Sequence, residues 1–390
     1  MKIKKLLALA LALTLLFTVL SACKKDEGND GGAVGEFTPT PSDTATLPPS
    51  SDAEDGATFD YKAAFAAFEP ETVMYTLSEI PVTWELMYFY VCSAIAGYEQ
   101  YYGPITDWTV DNGEGQAAEV ILAQALDNIR LYKTVDYAAK LNKLSFTAEE
   151  LAELDAQREQ EVEYNGGEEA FNAFLAANNA TDAVYRYLLS VSPMYNKILT
   201  ALYGENASAV TDAQALEYTE ANGWLYAKHI LISTVDDSGN PLPAGELEAA
   251  RVKAETLLEE LRLYSGADFD TYFDERMNAD SADAGGLYSF PDGYIFGPGT
   301  MVPEFEEGTR ALEPGAFDMV ESDFGYHIIY RLPYNFDMVV YDSSGAQDTL
   351  RELTAYEQLN ATFDAWEAAL VRADAAFADF DLARVFVQAQ

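Results

Sequence analysis

The sequence predicts an α+β protein: a small antiparallel sheet with surrounding helices, inserted in a helical domain built from N- and C-terminal segments. Three observations predict it. From about Tyr61 to Gly204 the pattern is mostly helical. From Trp224 to about Asn335, short β-branched and aromatic runs alternate with helical ones. After Phe336 the helical rhythm returns, with Leu350, Leu353, Tyr356, Leu359, Phe363, Trp366 and Leu370 on three- and four-residue steps. Such a stripe needs a partner to cover it. The N-terminal helices are the natural one, which makes the middle stretch an insertion.

The chain opens with targeting elements. Met1-Lys2-Ile3-Lys4-Lys5 is a basic head, and Leu6 to Leu20 is an apolar run too short to serve as a stop-transfer helix. Leu20-Ser21-Ala22-Cys23 follows it directly and reads as a bacterial lipobox. Residues 1–22 are therefore expected to be a lipoprotein signal peptide, with Cys23 the lipidated N-terminus. The stretch 23–60 is rich in Gly, Pro, Ser, Thr and Asp and cannot bury enough apolar surface to offset chain entropy. It is expected to be a disordered stalk.

Residues 61–215 are expected to form the first helical region. Thr72 to Pro81 has the look of a short hairpin, and Trp84 to Tyr102 of an aromatic-rich helix packed on several sides. Gly115 to Leu141 carries Val120, Leu122, Ala125, Leu126, Ile129, Leu131 and Val135 at helical spacing. Thr147-Ala148-Glu149-Glu150 is a capping box, flanked by Phe146 and Leu151 at staple positions. Asn165-Gly166-Gly167 ends that helix. Two more are expected, at Glu168–Asn178 and Thr181–Gly204, the second kinked at Pro193. Thr211 and Gln214 open a connecting helix.

Residues 216–335 read as strand, helix, helix, loop, strand, helix, strand, strand. The helix from about Gly245 to Tyr264 is marked by Leu247, Ala250, Ala254, Leu257, Leu258 and Leu261 on one face. Tyr326 to Leu332 is a strand bounded by Gly325 and Pro333. Residues 336–390 form the closing helical segment.

Composition excludes several functions. The formal charge is −42, and loss of a signal bearing Lys2, Lys4 and Lys5 would leave the chain more acidic still. Nucleic acid and anionic headgroups are therefore disfavoured as partners. Without Cys23, Cys92 has no partner for an intramolecular disulfide, and its apolar surroundings mark a buried hydrophobe. No phosphate loop, nucleotide fingerprint or Gly-x-Ser-x-Gly is present, and two histidines in separate strands are a poor metal site.

Those two histidines are the only ones in the chain. His229 lies in Ala227-Lys228-His229-Ile230-Leu231-Ile232, and His327 in Phe324-Gly325-Tyr326-His327-Ile328-Ile329-Tyr330. Between them lies Met301-Val302-Pro303-Glu304-Phe305-Glu306. If the two strands are antiparallel neighbours, the imidazoles come within hydrogen-bond reach. Met301 and Phe305, four apart, are expected on one face of a short helix.

Together these three motifs resemble the parvulin family of peptidyl-prolyl cis/trans isomerases over about Trp224 to Tyr334. The resemblance implies that His229 and His327 order a polar network under an active-site cleft. It implies that Met301 and Phe305 wall a proline pocket, and that a Cys or Asp stands at the cleft shortly before a Gly-rich turn. Asp280 is the best match for that last role, ahead of Gly285-Gly286-Leu287, with Asp283 and Asn278 competing for it. Pro291-Asp292-Gly293-Tyr294 looks like an added turn. Phe324 stands where some parvulins have Ser, a loss for which Ser322 could substitute.

The reaction so implied turns an X-Pro amide, whose barrier is about 18–20 kcal/mol. It needs no cofactor or metal. It needs a grip on the proline ring, a dry surround and polar groups that bind the twisted amide better than the planar one. The whole arrangement resembles the extracytoplasmic foldase lipoproteins of the PrsA type and, more loosely, the SurA-type chaperones. Tyr164-Asn165-Gly166-Gly167-Glu168-Glu169-Ala170-Phe171 adds weakly to that likeness. It implies as partners unfolded or newly secreted polypeptides with X-Pro bonds, and the membrane through the lipid on Cys23. It places the protein on the extracytoplasmic face of the cell membrane and leaves room for a homodimer.

Overall fold

The computed structural model describes residues 59–340, 347–373 and 380–388. The expected signal peptide, Cys23 and almost all of the expected stalk lie outside the described residues. No helix among the described residues is long and apolar enough to cross a membrane. The chain divides into two compact units, one of Met1–Ala201 with Leu359–Gln390, the other of Leu202–Gln358. The architecture is α+β, with a small antiparallel sheet in each unit.

In the first unit α1 (Tyr61–Phe65) leads into a hairpin of β1 (Val73–Leu77) and β2 (Ile80–Thr83). Its two-residue turn places both Ser78 and Glu79 at positive φ, which matches the twist of the strands. Then come α2 (Trp84–Tyr102), α3 (Ala117–Leu141), α4 (Ala148–Tyr164), α5 (Glu168–Ala177) and α6 (Asp182–Tyr203). On α2, the consecutive residues Leu86, Met87, Tyr88, Phe89, Tyr90, Val91 and Cys92 are all buried, and such a run circles the helix axis. The helix is covered nearly all round, as its continuous apolar run implied. Cys92 is buried on it, and burial pushes its thiol pKa well up. The capping box forms at α4: Glu150 N–H donates to Thr147 Oγ1, and Thr147 N–H to Glu150 Oε2. The helix α6 runs unbroken through Pro193.

The second unit begins with α7 (Asp212–Ala221), which the Thr211–Gln214 pair caps reciprocally. Its sheet has β3 (Leu225–Ser233) inside, in the order β4 (Tyr294–Phe296), β3, β6 (Gly325–Arg331), β5 (Phe317–Ser322), and every pair is antiparallel. Between β3 and β4 (Tyr294–Phe296) lie α8 (Ala244–Leu263), α9 (Phe269–Asp280) and α10 (Ala284–Ser289). The last of these is a single short helix where the sequence suggested only a loop. It forms because Asp283 caps it, accepting from Gly286 N–H at 2.9 Å. After β4 come α11 (Pro303–Ala311), β5 (Phe317–Ser322) and β6 (Gly325–Arg331).

Strand alternation sorts this sheet into two faces. Ile230, Ile232, Ile328 and Tyr330 pack with Leu257, Leu261 and Phe273 of α8 and α9. Leu225, Ala227 and Ile329 pack with Phe296 and with Phe305 of α11. With both faces covered, β3 reads as an almost continuous apolar run. His229 and His327 belong to the second face.

The closing helix α12 (Leu350–Ala369) begins in the second unit, where Leu350 is buried and Arg351 donates to Val210 O. It ends in the first, where Arg130 Nη1 donates to the carbonyls of Glu367 and Leu370, both at 2.9 Å. Glu367 O also accepts from Leu370 N–H at 3.2 Å, so Arg130 adds a second donor at the helix end. Arg372 and Ala373 form β7 and pair with β1, and α13 (Leu382–Val385) follows.

The turn from β5 to β6 depends on Gly325. Its φ is +137°, and a Cβ there would stand 2.2 Å from Ile232 O and 2.9 Å from Thr234 N. Gly325→Ala is therefore expected to cost about 2 kcal/mol or more, since neither backbone atom can retreat without breaking the β3–β6 pairing. A thermal melt with the same midpoint as wild type would count against it.

Candidate active site

The site is built on the β3–β6 pair. In the register, His229 lies opposite Ile329 and Leu231 opposite His327, so the two histidines are diagonal neighbours on one face. Their Nδ1 atoms are 3.1 Å apart and their rings nearly parallel. On the far side of each ring stands another polar group. His229 Nε2 is 3.0 Å from Asp283 Oδ2, and His327 Nε2 is 2.7 Å from Ser322 Oγ. The Ser322 Oγ also accepts from Phe324 N–H at 3.1 Å.

One assignment of protons satisfies the whole row with neutral rings. Asp283 as carboxylate only accepts, so His229 presents Nε2–H to it and has a bare Nδ1. His327 must then donate through Nδ1–H, which leaves its Nε2 to accept from the Ser322 hydroxyl. The hydrogens follow from this pairing requirement rather than from their own positions. The chain runs one way: Phe324 N–H to Ser322, Ser322 to His327, His327 to His229, His229 to Asp283.

Charge agrees with that order. His229 and His327 are only 9% and 5% exposed. Burial, and then the neighbouring His229, push the His327 pKa down to about 4. Asp283 is held well below the usual carboxylate range, first by the bond from His229 and then by Gly286 N–H and the Tyr294 hydroxyl.

Local chain geometry brings Asp283 here. β4 pairs with β3 only as far as Ala227. Beyond it, Ala282 N–H donates to Leu231 O at 2.7 Å, and Leu231 N–H donates to Ser281 Oγ at 3.1 Å. Residues 281–283 thus continue the sheet edge alongside β3. The carboxylate also borders a small cavity of about 210 Å³, counting the part open to solvent, lined by Lys228, Leu287, Phe290 and Tyr294 among others.

Asp280 is not part of this row. It closes α9 and faces other charges, with Arg276 Nη2 at 3.0 Å and Lys253 Nζ at 3.3 Å. A helix end points its side chains along its own surface, and the three residues to Asp283 turn the chain toward β3. The carboxylate at the histidines is therefore Asp283. Its signature was present in the sequence, an Asp three residues before Gly286, the spacing of a helix N-cap. Tyr294 stood out only as the end of an added turn, and Ser281 only as the neighbour of Asp280, neither with a role at the site.

Met301 and Phe305 also need correction. The helix α11 starts at Pro303, so Met301 precedes it and the two do not share a helix face. They meet by tertiary packing, with Met301 partly buried against the cluster that contains Phe305. Phe305 sets its ring edge-on to both imidazoles, 5.0 Å from His229 and 5.6 Å from His327. Ser322 occupies the place at His327 for which the sequence offered it. Phe324 is half exposed beside it.

Residues 213–331 match the PPIC-type PPIASE domain, so this stretch carries a parvulin domain. Over 121 residues, 31% of this chain, the sequence is 31% identical to the chaperone SurA of Thiobacillus denitrificans. The match spans about a quarter (24%) of that relative's length. Among solved structures, a peptidylprolyl isomerase (PrsA) from Bacillus cereus is similar at 20% identity and TM-score 0.27, covering 70% of this chain and 93% of that one. PrsA from Bacillus subtilis is similar at 18% identity and TM-score 0.22, covering 80% and 94%.

The buried histidines make stability depend on pH. An unfolded His327 takes a proton near pH 6.5, the folded one only near 4. Between those values the unfolded chain binds more protons, so acidification favours unfolding. The loss begins as pH falls below about 6.5, is complete near 4 and totals roughly 3.5 kcal/mol at about 1.4 kcal/mol per unit. Urea unfolding at pH 7.5, 6 and 4.5 measures it, and the slope should flatten in His327→Gln. Equal stability at all three pH values in wild type would contradict this account.

Proposed function

We propose that the Leu202–Gln358 unit is a peptidyl-prolyl cis/trans isomerase and that the chain serves as a foldase for secreted polypeptides. The observation that carries this reading is the buried row Asp283–His229–His327–Ser322 with Phe305 set against both rings. An X-Pro amide loses resonance as it twists, and the nitrogen gains a lone pair. A desolvated site with fixed donors and acceptors favours that twisted form without a nucleophile, metal or cofactor. Met301 and Phe305 supply apolar surface for the proline ring, and the histidine row holds Asp283 at the amide. The domain match at 213–331 supports the reaction class.

The remaining parts of the reading rest on the sequence. The helical unit would hold unfolded chains, as its likeness to the foldases implies. Leu20-Ser21-Ala22-Cys23 after an apolar run supports a lipid anchor on the extracytoplasmic face. Cys23→Ser should release the protein from the membrane fraction of a producing bacterium. Continued membrane retention would remove that part.

The test of catalysis is cis-to-trans relaxation of short X-Pro peptides with the purified full chain. Acceleration is expected, and Asp283→Ala and Met301→Ala should each lower kcat/KM at least about tenfold, or 1.4 kcal/mol of transition-state stabilisation. Asp280→Ala should leave the rate near wild type, because its partners are Arg276 and Lys253. One observation favours a second reading, a chaperone that binds chains without turning them: Phe305 is only 3% exposed, so its ring lies shut against the histidines. Background rates for every residue before proline, with aggregation of unfolded clients still suppressed, would establish that reading instead.

A further inference from the structure

We propose that Tyr294 is a positioning residue of this site, whose hydroxyl holds the ionised Asp283 carboxylate in the orientation that meets His229 Nε2 and thereby keeps His229 in its Nε2–H tautomer. This rests on the isomerase reading for its effect on rate and on geometry alone for its effect on the proton.

The Tyr294 hydroxyl donates to Asp283 Oδ2 at 2.9 Å, the same oxygen that faces His229 Nε2 at 3.0 Å. The other oxygen accepts from Gly286 N–H. Three donors thus converge on one carboxylate, and two share a single oxygen. That arrangement suits only the ionised form, since a proton on Oδ2 would oppose both donors. With Asp283 fixed as acceptor, His229 has to carry its proton on Nε2, and the direction of the whole row follows.

The contact is built into the fold. Tyr294 opens β4, lies opposite Ala227 on β3 and brings its ring 6.0 Å from that of His229. The hydroxyl is wedged against the start of α10. A Cβ on Gly286 would lie 1.8 Å from the Tyr294 oxygen and 2.1 Å from Asp283 Oδ2, so that position is open only because it is glycine. The other charged group at this cavity does not compete, because Lys228 Nζ is 2.7 Å from Asp274 Oδ1. Tyr294 belongs to the added turn Pro291–Tyr294, so this donor arrives with a segment that the parvulin resemblance does not supply.

The chain makes the test clean, because its two histidines give the only imidazole nitrogens. The full chain labelled with ¹⁵N-histidine is measured by NMR at neutral pH, as wild type and as Tyr294→Phe. In wild type His229 should show a protonated Nε2 and a bare Nδ1. In Tyr294→Phe, folded by circular dichroism, the His229 nitrogens should move toward averaged values of mixed tautomers. Isomerase kcat should fall about tenfold with KM within about twofold. Tyr294→Gln, whose amide can still donate, should return the wild-type nitrogen pattern.

Two results overturn the proposal: His229 protonated on Nδ1 in wild type, whatever the variants do, or nitrogen signals unchanged in folded Tyr294→Phe. If wild type shows no isomerase activity, the isomerase reading fails, and the nitrogen signals alone decide the role of Tyr294.

Discussion

The contact between the two imidazoles governs the second unit. Two nitrogens 3.1 Å apart, buried in a sheet face, can share only one proton between them. Whatever donates on one side therefore dictates what must accept on the other, and the constraint passes outward to Ser322 and Asp283. Each outer partner is held by a backbone feature. Ser322 ends β5 just before the turn and receives Phe324 N–H, while Asp283 caps α10 and receives Gly286 N–H. The secondary structure around the site is thus shaped by the need to leave no buried polar atom unpaired.

This row also explains how a strongly acidic chain holds a site that is neutral at its centre. The one carboxylate in contact with the histidines is surrounded by donors, and the nearby Asp274 is matched by Lys228. Phe305, Ile329 and Phe296 cover that face of the sheet with apolar surface.

Much of the fold was legible because it is local. The helix at Trp84–Tyr102 and the capping boxes at Thr147 and Thr211 show in local periodicity and cap residues, and the two histidine strands show in short apolar runs although they pair with each other from distant parts of the chain. The site was legible in part. The histidines and Phe305 stand out through residue type and motif. Asp283 was obscured by Asp280, because sequence distance from Gly285 and Gly286 does not say which carboxylate the chain turns toward β3. The short helix α10 was missed for the same reason: its stability comes from one cap and not from a periodic stripe. Met301 and Phe305 seemed to be helix neighbours, yet Pro303 starts the helix between them and packing brings them together.

The sequence by itself determined the α+β class, the placement of most of the helices and strands, and the pairing of two lone histidines with an apolar Met/Phe motif. Periodicity, caps and residue chemistry act over short distances, so they survive in a linear reading. Tertiary structure alone decided that Asp283 and not Asp280 reaches His229, that Ser322 completes the row, and that Tyr294 shares the carboxylate. Those choices depend on the β3–β6 register, on where β4 stops pairing with β3, and on the space left by the missing Cβ of Gly286. Each is set by residues that lie far apart along the chain.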